Sequence, residues 1–144
     1  LALAAKKSQS RRRIFLITGD GELAEGSNWE AALAAAHYGL DNLVIINDKN
    51  NLQLAGPTRE IMNTDPLAEK WLAFGMQVTE CQGNDMASVV ATLEELKQEG
   101  KPNVVIAHTT KGAGISFIQG RAEWHHRVPK GDEIEQALEE LKDA

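Results

Sequence analysis

Two apolar runs, Ile14-Phe15-Leu16-Ile17-Thr18 and Leu43-Val44-Ile45-Ile46, each end in a cluster of polar residues. Gly19-Asp20-Gly21-Glu22 follows the first, and Asn47-Asp48-Lys49-Asn50-Asn51-Leu52 completes the second. Each run has the length of a buried strand, and residues 27–38 between them read as a helix, so the unit is strand, helix, strand. Such a crossover joins parallel strands and is right-handed. Both clusters then lie on the carboxyl edge of the sheet, where open α/β sheets bind ligands, and Asp20 and Asn50 converge there. Carboxylate and amide oxygens are hard donors, which suit Mg²⁺ holding a diphosphate better than zinc or iron.

The remaining elements extend this unit. Ser27-Asn28-Trp29-Glu30 has capping-box spacing, and Gly39 stands in the C′ position of the same helix. Five alanines, Ala31, Ala32, Ala34, Ala35 and Ala36, make its surface small; this serves either close approach to a sheet and a second chain or simple helix propensity. Trp29 is a candidate anchor for that second chain. Gly56-Pro57 reads as a turn, and residues 66–74 as a helix with Leu67, Trp71 and Phe74 on one face, stopped by Gly75. Residues 76–81 form a third strand. Gly83-Asn84-Asp85 turns and caps a helix over residues 86–99, with Val89, Val90, Leu93 and Leu96 inward. Residues 103–108 form a fourth strand, which delivers Thr109-Thr110-Lys111-Gly112-Ala113-Gly114 to the ligand edge. Residues 115–130 carry no assignable period, and Asp132 with Glu135 opens a last amphipathic helix through Leu138 and Leu141.

The expected architecture is a doubly wound, mainly parallel α/β sheet with helices on both faces. Its 144 residues suffice for one domain, 1–144, in which residues 120–144 form a C-terminal arm and helix. Leu1-Ala2-Leu3-Ala4-Ala5-Lys6-Lys7 reads as the last turns of a helix that begins before the sequence does, so the domain is expected to lack its N-terminal part. A net charge of −6 argues against nucleic acid as a partner, because phosphate backbones call for a basic face. Arg11-Arg12-Arg13 reads as a solvated loop. One cysteine, Cys81, permits no internal disulfide and points to a reducing, cytoplasmic compartment. No apolar run approaches the ~20 residues of a membrane span.

Asp-Gly is also a common hairpin turn, but a capped helix rather than a returning strand follows Gly21. A phosphatase-type Gly-Asp-Gly would need an upstream Asp-x-Asp nucleophile, and the chain has none. Gly19-Asp20-Gly21, Glu22-Leu23-Ala24-Glu25-Gly26 and Asn50-Asn51 after an apolar strand resemble the thiamin diphosphate fingerprint of transketolases. The likeness continues through Leu52-Gln53-Leu54-Ala55-Gly56-Pro57-Thr58, Trp71-Leu72-Ala73-Phe74-Gly75, Lys111-Gly112-Ala113-Gly114 and Trp124-His125. It spans nearly the whole chain and is most similar to the N-terminal subunits of split transketolases.

The resemblance implies a thiamin diphosphate-binding fold of the diphosphate-binding type, with thiamin diphosphate and Mg²⁺ as cofactors. It makes Asp20 and Asn50 the side-chain ligands of the metal and the Leu52 carbonyl its backbone ligand. Gly19, Gly21, Glu22 and Lys111 fall among the cofactor-binding positions, with glycine leaving room for the phosphates. Glu25 matches a glutamate that links paired active sites; its other reading is a first-turn carboxylate favourable to the helix dipole. His125 matches a histidine that reaches the diphosphate and substrate hydroxyls, although His126 stands where the family usually has glycine. His37 and His108 read as structural. The implied activity is transfer of a two-carbon ketol unit between sugar phosphates, and the implied partner is a pyrimidine-binding domain or subunit in a homo- or hetero-oligomer. The same metal motif also occurs in deoxyxylulose-phosphate synthases and dehydrogenase E1 subunits, and a truncated non-catalytic partner chain is the remaining alternative.

Overall fold

The computed structural model describes residues 1–54 and 56–142. Ala55, within the stretch 52–58, and the last two residues of the arm expected over 120–144 lie outside the described residues. Chain order is α1 (Ala2–Lys7), β1 (Ile14–Gly19), α2 (Gly26–His37), β2 (Leu43–Lys49), β3 (Leu52–Gln53), β4 (Gly56–Pro57), α3 (Thr58–Ile61), α4 (Leu67–Ala73), β5 (Gln77–Gln82), α5 (Met86–Glu95), β6 (Asn103–His108) and α6 (Asp132–Glu140). Four strands form one parallel sheet in the order β1-β2-β6-β5. In its register Gly19 pairs with Asp48, Lys49 with His108, and Gln82 with His108, so all the strands end at one edge.

Period-two alternation divides the apolar residues of β2 and β6 between two cores. Ile45, Val104 and Ile106 face Ala2 of α1, Ala32 and Ala35 of α2, and Leu67 and Trp71 of α4. Val44, Val105, Ala107 and Cys81 face Val89, Leu93 and Leu96 on the α5 side. Helices therefore cover both faces, as expected of a doubly wound sheet. Lys6 of α1 donates to the Tyr38 carbonyl at 3.0 Å and also to the Gly39 carbonyl, which places a cation at the C-terminal dipole of α2.

Several expectations need correction. β1 is not buried: it is the edge strand, and Phe15, Leu16 and Ile17 are 50%, 47% and 70% exposed. An apolar run reports strand character but not whether both neighbours are present. Trp29 is no external anchor, since its ring lies 4.8 Å from Trp71 and 5.1 Å from Phe74 and its Nε1 donates to the Leu23 carbonyl at 2.8 Å. The capping box at Ser27 does not form. The helix starts at Gly26 after a 3-10 turn over Glu22–Ala24, and the Asn28 side chain reaches back to the Glu22 carbonyl at 2.8 Å. Gly39 takes the left-handed conformation expected of it, at φ 55°.

Asp85 caps α5 by accepting from Ala87 N at 3.0 Å, but the helix ends at Glu95, and Leu96 is extended. Val90 consequently points outward at 45% exposure, while Thr92 is buried in its place. Gly56-Pro57 is not a turn but the second arm of a small hairpin with Leu52-Gln53. α6 starts after Gly131 without a side-chain cap. It buries Ala137, and leaves Leu138 and Leu141 exposed.

Candidate functional site

The turn after β1 folds around its own carboxylate. Asp20 is 2% exposed; its backbone N–H donates to the Asp48 carbonyl at 3.1 Å, continuing the β1–β2 ladder by one bond. Its Oδ1 accepts from Gly21 N at 2.8 Å and its Oδ2 from Asn51 N at 2.6 Å. The second bond ties the two strand-end clusters together. Gly21 was expected to leave open space, yet a Cβ there would come within 2.7 Å of Gln53 Cγ, and Gln53 Nε2 donates to the Gly21 carbonyl at 3.0 Å. Glu22 closes the turn by accepting from Gly19 N at 3.1 Å.

Past β2 the chain makes a side-chain turn. Asn50 Oδ1 accepts from Leu52 N at 3.0 Å, and Asn51 between them sits at φ 61°, a left-handed conformation that asparagine tolerates. Asn50 Nδ2 donates to Asp48 Oδ2 at 3.1 Å. From the end of β6, the Thr109 hydroxyl donates to the other Asp48 oxygen.

The loop after β6 carries Lys111. Gly112 follows at φ 69°, and any Cβ there would strike the Ile118 side chain, so the loop closes tightly. Gly120 N donates back to the Lys111 carbonyl at 2.8 Å. Trp124 is buried, edge-on to Phe117 at 5.4 Å and beneath the Arg127 guanidinium at 4.2 Å. This anchor delivers the next residue, His125, to the site.

These segments enclose a cleft of about 410 Å³ at the carboxyl edge of the sheet. Every site residue expected from the sequence lines it: Gly19 to Glu22 from the first turn, Glu25 at the start of α2, Asn50 and Leu52 from the second, and Lys111 and His125 from the far side. His126 is not on the wall, which fixes the register of the Trp124-His125 pair. His108 faces away in a 2.6 Å contact with Glu80. Glu25 is exposed at the N-cap position of α2 and makes no capping bond. Asp48, Gln53 and Leu54 also line the cleft and were missed. Asp48 stands two residues before Asn50, and the period of an extended chain puts both on one side.

Burial raises the Asp20 carboxyl above its ordinary pKa; the two backbone bonds oppose this, and the Asp48 carboxylate adds to it. A buried acid beside a second acid is an arrangement that a divalent cation relieves. Across the cleft, loss of solvation and then the charges of Lys111 and His126 hold His125 below its ordinary pKa, so its ring is neutral at pH 7. Among the described residues no three His, Cys, Asp or Glu side chains gather as a metal cage, and no helix is long and apolar enough to cross a membrane. A cation here would rely on amide, carbonyl and ligand oxygens beside Asp20. This donor set fits a hard ion that shares its coordination with a phosphate.

The family model described as transketolase, thiamine diphosphate binding domain, matches residues 4–142. One of the two chains of the apulose-4-phosphate transketolase of Actinobacillus succinogenes is 73% identical over 143 residues, 99% of this chain and 52% of that protein. The 6-deoxy-6-sulfo-D-fructose transketolase subunit of a Clostridium species is 36% identical, again over 99% of this chain and 52% of its own length. The chain thus spans about half the length of these curated relatives. The crystal structure of transketolase from Campylobacter jejuni superposes with a TM-score of 0.89 at 30% identity, covering 96% of this chain and 23% of that one. With its fold, its cleft and the match over residues 4–142 in agreement, the chain belongs to the transketolase family, in its thiamine diphosphate binding domain.

Proposed function

We propose that the cleft holds the diphosphate and Mg²⁺ of thiamine diphosphate, as one half of an active site that moves a two-carbon ketol unit between sugar phosphates. The observation that carries this reading is the meeting of Asp20, Asn50 and Leu52 with Lys111 and His125 around one cleft. Asp20 and Asn50 would hold the metal through their side chains and Leu52 through its carbonyl. Lys111 brings positive charge to the phosphates, and a neutral His125 can donate to an oxygen from one ring nitrogen. When bound, thiamine diphosphate supplies the electron sink for carbon–carbon cleavage, while this chain anchors and orients it. Glu25, exposed beside the cleft, is assigned to the link between paired sites.

The 73% identity to a chain of an apulose-4-phosphate transketolase supports a ketose phosphate of that kind as substrate. That relative is named as a subunit, which supports a second, pyrimidine-binding chain as partner. The exposed apolar residues Phe15, Leu16 and Ile17 of β1 offer surface for further polypeptide in a hetero-oligomer. A cytoplasmic location, in keeping with the reduced Cys81, completes the proposal.

Titration calorimetry of the chain with thiamine diphosphate, with and without Mg²⁺, tests the site. Binding is expected only with the metal and is expected to be weak, because the pyrimidine end lacks its partner. Metal-independent binding, or binding indifferent to Asp20→Ala, would refute the assignment. Ketol transfer is expected only after the partner chain is added; steady turnover by the 144-residue chain alone would contradict the half-site reading.

A further inference from the structure

Asp48 is outside the expected ligand set, yet both its carboxylate oxygens are engaged, one by Asn50 Nδ2 at 3.1 Å and the other by the Thr109 hydroxyl. An amide has two ends of nearly equal shape, and only the oxygen can serve a hard cation. An ionised carboxylate accepts and never donates, so Asp48 admits only the NH₂ end of Asn50. The oxygen is thereby turned to the opposite side. There it accepts from Leu52 N at 3.0 Å and keeps a second lone pair.

Asp48 is itself held from the neighbouring strand. Thr109 N donates to the Lys49 carbonyl at 3.2 Å, which fixes its backbone beside the end of β2. Its methyl group occupies the space that a side chain at Gly83 would fill: a Cβ there would collide with Thr109 Cγ2 and come within 2.9 Å of Ala107 Cβ. With the methyl seated over Gly83, the hydroxyl is left facing Asp48. Gly83 is in turn pinned by donating its own N–H to the His108 carbonyl at 2.7 Å.

We infer that Thr109, Asp48 and Asn50 form a positioning relay, seated on Gly83, that keeps the Asn50 oxygen available to the cation. Asp48 and Thr109 act through Asn50 and are not themselves ligands. The inference rests on the Mg²⁺ reading of the cleft, so wild-type protein is measured first. The probes are Mg²⁺-supported thiamine diphosphate binding by calorimetry and Mn²⁺ binding by electron paramagnetic resonance, with circular dichroism to verify folding.

Absence of metal binding by the wild type would remove the site reading and the relay together. With wild-type binding in hand, Asp48→Asn is expected to weaken Mn²⁺ about tenfold or more, the range found for groups that orient metal ligands. The exchange Asp48→Asn with Asn50→Asp is expected to regain most of the loss. A carboxylate at position 50 presents an acceptor at either end, and the new amide at 48 can donate to it. Thr109→Val is expected to weaken binding severalfold and Thr109→Ser to restore it, while Gly83→Ala, remote from the metal, should act in the same direction as Thr109→Val. Unchanged affinity in Asp48→Asn, or an exchange variant no better than the single one, would overturn the relay while leaving the site reading intact. Tighter binding in Thr109→Val would likewise overturn it, as the signature of Asp48 being a ligand released from a competing bond. Should Asp48→Asn fail to fold, the threonine pair alone decides the matter.

Discussion

Replacing Asp20 by asparagine separates the metal role of this carboxylate from its structural one. Its two oxygens accept from Gly21 N and Asn51 N, and such bonds to a charged group contribute about 1.5–3 kcal/mol each. Asparagine keeps one acceptor and turns an NH₂ group toward the other backbone N–H. Against that loss, the substitution removes a buried charge that its surroundings disfavour, since burial and Asp48 together raise its pKa despite the two bonds. The two effects oppose one another, so the ligand-free variant should fold with only modest destabilisation. The metal-loaded comparison is not offset in this way. At a hundredfold excess over Kd, ligand adds about 2.7 kcal/mol to wild-type stability. Losing a charged ligand worth about 2 kcal/mol weakens binding about thirtyfold, and the same ligand concentration then adds about 0.9 kcal/mol. For a domain of this size that is a melting shift of roughly 5–11 °C falling to roughly 2–4 °C. Thermal melts with and without Mg²⁺ and thiamine diphosphate read the difference directly. An Asp20→Asn protein that folds and shows the full wild-type shift would refute the metal role.

Three further expectations follow from the geometry. The Lys49 contact, foremost, depresses the Asp65 pKa. Its contribution is therefore present above the unfolded value of about 4 and lost as pH falls through the lower folded value. Melts of Asp65→Asn should show a small, salt-sensitive destabilisation at pH 7 that closes toward wild type below about pH 4, since Asp65 is half exposed; a gap that persists at low pH would assign the effect to something other than charge. Gly112→Ala places a side chain at positive φ against Ile118, with about 1–2 kcal/mol of backbone strain alone, and should weaken diphosphate binding through Lys111. Calorimetry with inorganic diphosphate checks this, and wild-type affinity would contradict it. Trp29 Nε1 has a carbonyl partner and buried Trp71 Nε1 has none, so in chemical denaturation Trp29→Phe should lose about 1 kcal/mol more hydrogen-bond energy than Trp71→Phe. Equal or reversed losses would contradict the hydrogen-bond account.

The cleft was legible in the sequence to the extent that its residues are local to strand ends. Asp20, Asn50 and Leu52 follow apolar runs, and parallel strands bring such ends together whatever the details of packing. Lys111 and His125 are different: their distance from the first turn is closed by the Gly112 backbone and the Trp124 anchor, and only the resemblance to transketolases pointed to them. What stayed hidden was set by neighbours rather than by pattern. β1 looks as apolar as β2, and nothing in Ile14 to Thr18 says that one side of it is free. The start of α2 departs from the expected capping box because the side chains of Asn28 and Trp29, reaching back to the preceding turn, hold it one residue earlier.

The contact between Asp48 and Thr109 was the least accessible of all. It joins residues 61 positions apart, and it depends on the pairing of Lys49 with His108. A slip of one residue between β2 and β6 would turn Thr109 to the other face of the sheet and leave His108 beside the acid instead. The apolar alternation of β6 forbids that slip, because Val104 and Ile106 would exchange cores with Val105 and Ala107. The orientation of one amide at the mouth of the cleft is thus specified by buried residues several positions away. A substitution such as Ala107→Leu should therefore disturb metal affinity as well as stability, since Ala107 Cβ lies against the Gly83 seat that aims the Thr109 hydroxyl.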